Sequence, residues 1–196
     1  IAWRTGGLEE TGREERTPIN LPEKFDCQRI GPDQTLSGML ESGELDAVIC
    51  PPVPSCLQRV AANVGRLWPN FRAAEQDYFR RSGIFPIMHV IALKGDVYRE
   101  NPWIAQNLFK AFEEAKNNSM FRAQEFTATR FPFAWCFEAA HKARDIFGED
   151  FFPYGVEANR TTLEAFLQYG YEQGVCHRKV EVEELFAEEV LASFKV

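Results

Sequence analysis

Residues 35–52, "TLSGMLESGELDAVICPP", narrow the possible folds more than any other stretch of the chain. Leu36, Met39 and Leu40 recur at helical spacing, and Gly43 stands where a helix in that register would be capped. Ala47, Val48, Ile49 and Cys50 then make a continuous apolar run that halts at Pro51. Such a run is the pattern of a strand buried on both faces. A helix feeding a buried strand that ends in a Pro/Ser loop is a unit of an α/β sheet. Ligands of such sheets sit beyond the carboxyl ends of the strands. The fold class that follows is α/β.

The rest of the chain is compatible with that class. Short strands are predicted at "IAWRT" and near "FDCQRI", with residues 8–24 as an exposed loop broken by Gly12, Pro18 and Pro22. "VGRLW" reads as another strand, ending at Pro69. The next segment, "NFRAAEQDYFRRSG", reads as a helix with Asn70 as N-cap, Phe71, Ala74 and Tyr78 inward, and Gly83 at its end. "HVIAL" reads as a fully buried strand after Pro86. An amphipathic helix begins at Asn101-Pro102, with Ile104, Ala105, Leu108, Phe109 and Phe112 on one face. A second covers "FAWCFEAAHKARDIFG", with Phe133, Cys136, Phe137, Ala140 and Phe147 inward. After the turn-rich "FFPYGVEANR", helices are expected around Leu163, Phe166, Leu167 and Gly170 and over "VEVEELFAEEVLASF". The first third is thus mixed and the remainder mainly helical, with a boundary at residues 82–86.

The 196 residues are 45% apolar and 26% charged, enough to bury a core. The formal net charge of −7, with no Lys/Arg run beyond two residues, argues against nucleic acid as a partner. No stretch reaches the roughly 20 apolar residues that span a bilayer, so no membrane partner is expected. Cys27, Cys50, Cys56, Cys136 and Cys176 are odd in number and scattered, without metal-site spacing. They read as reduced thiols in a cytoplasmic protein, and neither a metal nor a cofactor is expected.

The chain carries no phosphate loop, dinucleotide fingerprint or nucleophile elbow. "GGLEETG" reads as a turn. Ser55 and Cys56 follow a proline loop at a strand end, where nucleophiles can sit, but a loop-capping serine and a buried cysteine account for them. Glu113, Glu114 and the acids from Glu181 to Glu189 read as solvated helix faces, and His141 and His177 as surface or boundary residues. Arg80 and Arg81 could clamp a carboxylate, or simply complement a helix C-terminus. His89, in "SGIFPIMHVIAL", is either a core histidine or a residue at a ligand site.

Five segments in register carry a resemblance. They are "GGLEETGREER" at 6–16, "TLSGMLESGELDAVICPPVPSC" at 35–56 and "LWPNFRAAEQDYFRRSGIFPIMHVIALKGDVYRENPWIAQNLFKAFEEAK" at 67–116. "FGEDFFPYGVEANRTTLEAFLQYGYEQG" at 147–174 and "VEELFA" at 182–187 complete the set. Together they resemble the 4,5-dihydroxyphthalate decarboxylase family, which has the two-lobe type II periplasmic-binding-protein-like fold. The resemblance implies that residues 1–82 are the later part of the second α/β lobe. Residues 83–196 would return to the first lobe, with one strand followed by C-terminal helices. The family's opening strands have no counterpart here. A missing N-terminal segment or a partner chain is therefore expected to complete the core.

The resemblance further implies non-oxidative decarboxylation of a dihydroxylated aromatic dicarboxylate between two lobes. Within that neighbourhood, chemistry assigns the roles. Arg80 or Arg81 would bind carboxylate, and His89 would serve as general acid, an imidazole being suited to proton donation at neutral pH. Ser55 and Tyr78 would hydrogen-bond ring oxygens, and Tyr154, Asn159 and Arg160 would close the site from the other lobe, unless "PYGVEANR" is an ordinary loop with Asn159 as an N-cap. Two alternatives stand beside the enzyme. One is a solute-binding protein of a transporter for a small organic anion, periplasmic if a signal peptide precedes Ile1. The other is the ligand-sensing domain of a larger regulator.

Overall fold

The computed structural model describes residues 1–13 and 21–191 and separates them into two compact units. The first unit comprises Ile1–Glu75 with Gly170–His177, and the second comprises Gln76–Tyr169 with the chain from Arg178 onward.

In the first unit, β1 (Ala2–Thr5) pairs in parallel with β2 (Asp26–Arg29), Ala2 opposite Asp26 and Thr5 opposite Arg29. Both strands fall within the segments expected of them, "IAWRT" and "FDCQRI". Residues 14–20 of the expected loop lie outside the described residues. Helix α1 (Leu36–Ser42) is capped at its start by Thr35, whose Oγ1 accepts from Gly38 N, and at its end by Gly43 at φ 82°. The first N–H groups of α1 donate to carbonyls of the 6–8 turn, Leu36 N to Gly7 O and Ser37 N to Leu8 O, both at 3.0 Å. That turn needs glycine: a Cβ on Gly7 would lie 1.9 Å from the Glu10 carbonyl oxygen. "GGLEETG" is therefore a turn that seats α1. The single helical turn α2 (Ser55–Gln58) follows the proline loop, and its Cys56 is fully buried.

Two predicted strands of this unit are corrected. Residues 47–50 and 64–68 are irregular, and Ile49 is 89% exposed. The described sheet holds β1 and β2 alone. A run of β-branched residues becomes a strand only when a neighbour supplies ladder partners, and among the described residues neither run has one.

Helix α3 (Phe71–Ser82) starts at Asn70, whose Oδ1 accepts from Ala73 N, and gives way to Gly83 at φ 67°. Its inward face differs from the expected one. Phe71 and Tyr78 are exposed and Ala74 is half-buried, while Phe79 packs edge-on to Phe147 at 4.5 Å. In the second unit, the predicted strand at 89–93 is also corrected: those residues are irregular, and Met88, Val90 and Ile91 are exposed. Helix α4 (Gly95–Glu100), not foreseen, precedes α5 (Trp103–Gln124). The expected face of α5 is turned inward through Ile104, Ala105, Leu108 and Phe109, but Phe112 is exposed. Helix α6 (Cys136–Phe147) starts later than expected, so Phe133 precedes it on irregular backbone; the helix buries Ala140, and Phe133 and Phe137 are both exposed. In α7 (Arg160–Glu172), Leu163 and Leu167 are buried and Phe166 is not.

The core of this unit gathers Val156, Leu163, Leu167 and Val182, with Val180, Phe186 and Leu191 packed against it. Within its described residues the expected last helix is instead two 3₁₀ turns, Val182–Glu184 and Glu188–Val190, and residues 192–194 of it lie outside the described residues. Reciprocal capping by Glu181 and Glu184 starts the first turn, and Ala187, in an extended conformation, interrupts the run.

Candidate functional site

The first unit gathers polar chemistry around Ser55. Its N–H donates to Glu9 Oε1 at 2.7 Å and its hydroxyl to Glu9 Oε2 at 2.8 Å. The Ser37 hydroxyl lies 3.2 Å from that of Ser55, and Arg59 donates to Ser55 Oγ at 3.0 Å while pairing with Glu41 at 2.7 Å. The Ser55 N–H above all, helped by the two hydroxyls and the Arg59 charge, holds the Glu9 carboxyl below its ordinary value, against the rise that burial imposes. Cys50, at the edge of the group, has its thiol pushed up by burial first, and then by Cys56 and the Glu9 charge. Ser55 is thus the hub of a network anchoring the 6–13 segment to α2.

The second unit carries the other sequence-predicted residues. Tyr78, Arg80 and Arg81 lie on the last turns of α3 and are exposed. Arg81 pairs with Asp77 at 2.8 Å, whereas Arg80 makes no ion pair or hydrogen bond among the described residues. His89 is exposed on irregular backbone and likewise unpartnered among them. A chain of aromatic contacts links the end of α3 to the 150–155 loop. Phe79 meets Phe147, Phe147 meets Phe85 at 5.1 Å, Phe85 meets Phe152 at 6.4 Å, and Phe152 meets Tyr154 at 6.3 Å. Tyr78, Arg80, Arg81 and Tyr154 therefore belong to elements joined by one aromatic seam. No hydrogen bond or ion pair joins His89 to either arginine among the described residues.

Asn159 and Arg160 have structural partners. The Asn159 amide donates to the carbonyls of Pro153 and Gly155, both at 2.9 Å, and so fixes the loop that carries Tyr154. The Arg160 guanidinium is shared by Glu157, Glu183 at 2.7 Å and Glu164 at 3.5 Å, and Glu157 and then Glu183 raise its affinity for the proton still further.

Sequence reasoning missed one buried charge. Lys116 on α5 is buried, its Nζ 2.8 Å from Glu113 Oε1, 2.7 Å from Asp150 Oδ2 and 5.3 Å from the Tyr154 ring centroid. Burial pulls its proton affinity down, but the hydrogen bonds to Asp150 and Glu113 and their charges outweigh it, and the net shift is upward. Glu113, read as a solvated residue, is instead half-buried, and its Oε2 is buried without a hydrogen-bond partner. The i, i+3 spacing of Glu113 and Lys116 was the available signal; the position of Asp150, 34 residues on, was not. Among the described residues, no group of three or more His, Cys, Asp or Glu side chains is placed to share a metal ion.

No family model matches the chain. Among curated proteins, the whole chain is 32% identical to a 4,5-dihydroxyphthalate decarboxylase of Comamonas testosteroni, of which it spans 59%. An 80-residue stretch, 41% of the chain, is 42% identical to a 4,5-dihydroxyphthalate decarboxylase of Pseudomonas putida, of which it covers 31%. The chain is therefore a relative of proteins of that name, and it spans about three-fifths of the length of the Comamonas one.

Proposed function

We propose that this chain belongs to the 4,5-dihydroxyphthalate decarboxylase family and forms part of a non-oxidative decarboxylase for a dihydroxylated aromatic dicarboxylate. The reading is carried by one observation, the 32% identity that runs the whole length of the chain. The two-lobe assignment, residues 1–82 and 83–196, is part of the same proposal. So is completion of the core by an N-terminal segment or partner chain.

In the reaction, a ring hydroxyl pushes electron density toward the carbon bearing the departing carboxylate. A general acid protonates that carbon, a ring π pair forming the new C–H bond; the C–CO₂ bond then breaks, its electron pair returns to the ring to restore aromaticity, and CO₂ leaves. His89 is our candidate for the acid, since it is exposed and no partner among the described residues occupies its ring nitrogens. Arg80 is the more available carboxylate ligand, because Arg81 is engaged by Asp77. Tyr78 would serve a ring oxygen, Tyr154 would close on the ring, and Asn159 would hold the loop that carries it.

The test is CO₂ release from 4,5-dihydroxyphthalate by the protein that carries this chain, with His89→Gln beside it. Loss of at least about a hundredfold in kcat is expected for a general acid. Absence of turnover in the parent protein would remove the reaction; parental rates in the variant would remove His89 alone.

A further inference from the structure

Between the end of α5 and the start of α6 the second unit has a half-open hollow of about 390 Å³ that none of the roles above uses. This is within the range of about 300–1,000 Å³ usual for small-molecule sites. Its wall is aromatic: Phe131 and Phe133, ring centroids 6.0 Å apart and tilted by 37°, together with Trp135 and Phe137. Phe137 is braced by His141 at 4.2 Å and Phe126 at 5.7 Å. Trp135 is 78% exposed, held on a left-handed backbone turn at φ 60°. Ring faces and edges collected at a solvent-facing cavity suit a planar guest.

The charge is equally specific. Arg122 and Arg130 line the hollow, and neither makes a hydrogen bond or an ion pair within 4 Å among the described residues. The lining has one acid, Glu125, whose Oε1 already accepts from the Thr127 N–H at 3.0 Å and hydroxyl at 2.5 Å. Two guanidinium groups against one engaged carboxylate leave a net positive lining in a chain whose formal charge is −7. Guanidinium forks match the geometry of a carboxylate. We propose that this hollow is a binding site for a planar aromatic carboxylate, its ring among Phe131, Phe133, Trp135 and Phe137 and its anionic group on Arg122 and Arg130. The inference stands on the lining alone and does not require that the chain be a decarboxylase.

The test is calorimetric titration of the whole protein that carries this chain with phthalate at low ionic strength, beside cyclohexane-1,2-dicarboxylate, its saturated twin of equal charge. Phthalate is expected to bind and the saturated acid to bind at least several-fold more weakly. Arg122→Gln and Arg130→Gln are each expected to weaken phthalate by about tenfold, as loss of one charged hydrogen-bond set implies. The exposed Lys110→Gln should leave it unchanged. Circular dichroism checks that all variants remain folded. Phthalate should also perturb tryptophan fluorescence in the parent chain, and Trp135→Phe should abolish that signal while retaining calorimetric binding. Absence of phthalate binding, equal binding of the saturated acid, or parental affinity in both arginine variants would overturn the proposal. CO₂ release enters none of these readouts, so failure here and failure of the decarboxylase reading are distinguishable.

Discussion

Replacing Lys116 with methionine tests whether one buried charge holds the 150–155 loop to α5. The side chain is 4% exposed, while its partners Glu113 and Asp150 are 30% and 45% exposed. Removing one member of a fully buried pair costs about 3–5 kcal/mol, because the survivor stays charged and dry. Here the survivors reach water in part, Asp150 Oδ1 keeps the Phe152 N–H, and methionine keeps most of the apolar stem. Those offsets bring the expected loss to about 2 kcal/mol, or about 4–8 °C in Tm for a chain of this size. Urea and thermal unfolding by circular dichroism measure the loss, and hydrogen exchange over 150–155 locates it.

The pH dependence supplies a second arm. A lysine whose proton affinity is raised by folding contributes stability that is fully present below its unfolded value of 10.5 and is lost as pH rises through the folded value. Parent and variant should therefore differ at pH 7 and converge at strongly alkaline pH. A loss below about 0.5 kcal/mol, the size of an ordinary surface substitution, would refute the argument. A difference independent of pH would show that packing, not charge, is what Lys116 contributes.

Two further perturbations follow from the geometry. Gly7→Ala puts a methyl group into the Glu10 carbonyl and should destabilise the first unit by about 1–3 kcal/mol, read as a lower urea midpoint. Arg178 chiefly, and then the Glu181 N–H, lowers Glu184 from 4.5 to about 2. Its contribution to stability is therefore present above about pH 4.5 and lost as pH falls toward 2. An acid titration of Tm should show that loss in the parent and less of it in Glu184→Gln, and superimposable curves would exclude the pair.

What was legible in the sequence depended on local physics. Helix ends were readable where the cap was one residue with one job, as at Asn70 and Gly43. Helix α5 and the Leu163/Leu167 face of α7 followed from apolar spacing. The strands at 47–50, 64–68 and 89–93 were not decided by composition, because a strand depends on the chain lying next to it. Likewise, Phe71, Phe112 and Phe166 kept helical register but face solvent. The polar networks were the least legible. Ser55 was singled out, but Glu9, its partner 46 residues earlier, sits in an acidic turn with nothing to distinguish it from Glu10.

The same partner accounting separates the candidate arginines by experiment. Arg160 is held by three carboxylates and Arg80 by none among the described residues. A guanidinium already committed to Glu157, Glu164 and Glu183 has to surrender contacts before it can take an anion, whereas an unengaged one gives up only hydration. Arg160→Gln leaves those acids without their shared cation, near the core formed by Val156, Leu163 and Val182, and should lower Tm. Arg80→Gln should leave Tm unchanged and, if Arg80 binds a carboxylate in turnover, raise KM. The reverse outcome, a stable Arg160→Gln with weakened substrate binding and an Arg80→Gln impaired only in folding, would mean that the charge pairs seen around Arg160 are dispensable and its guanidinium serves the ligand.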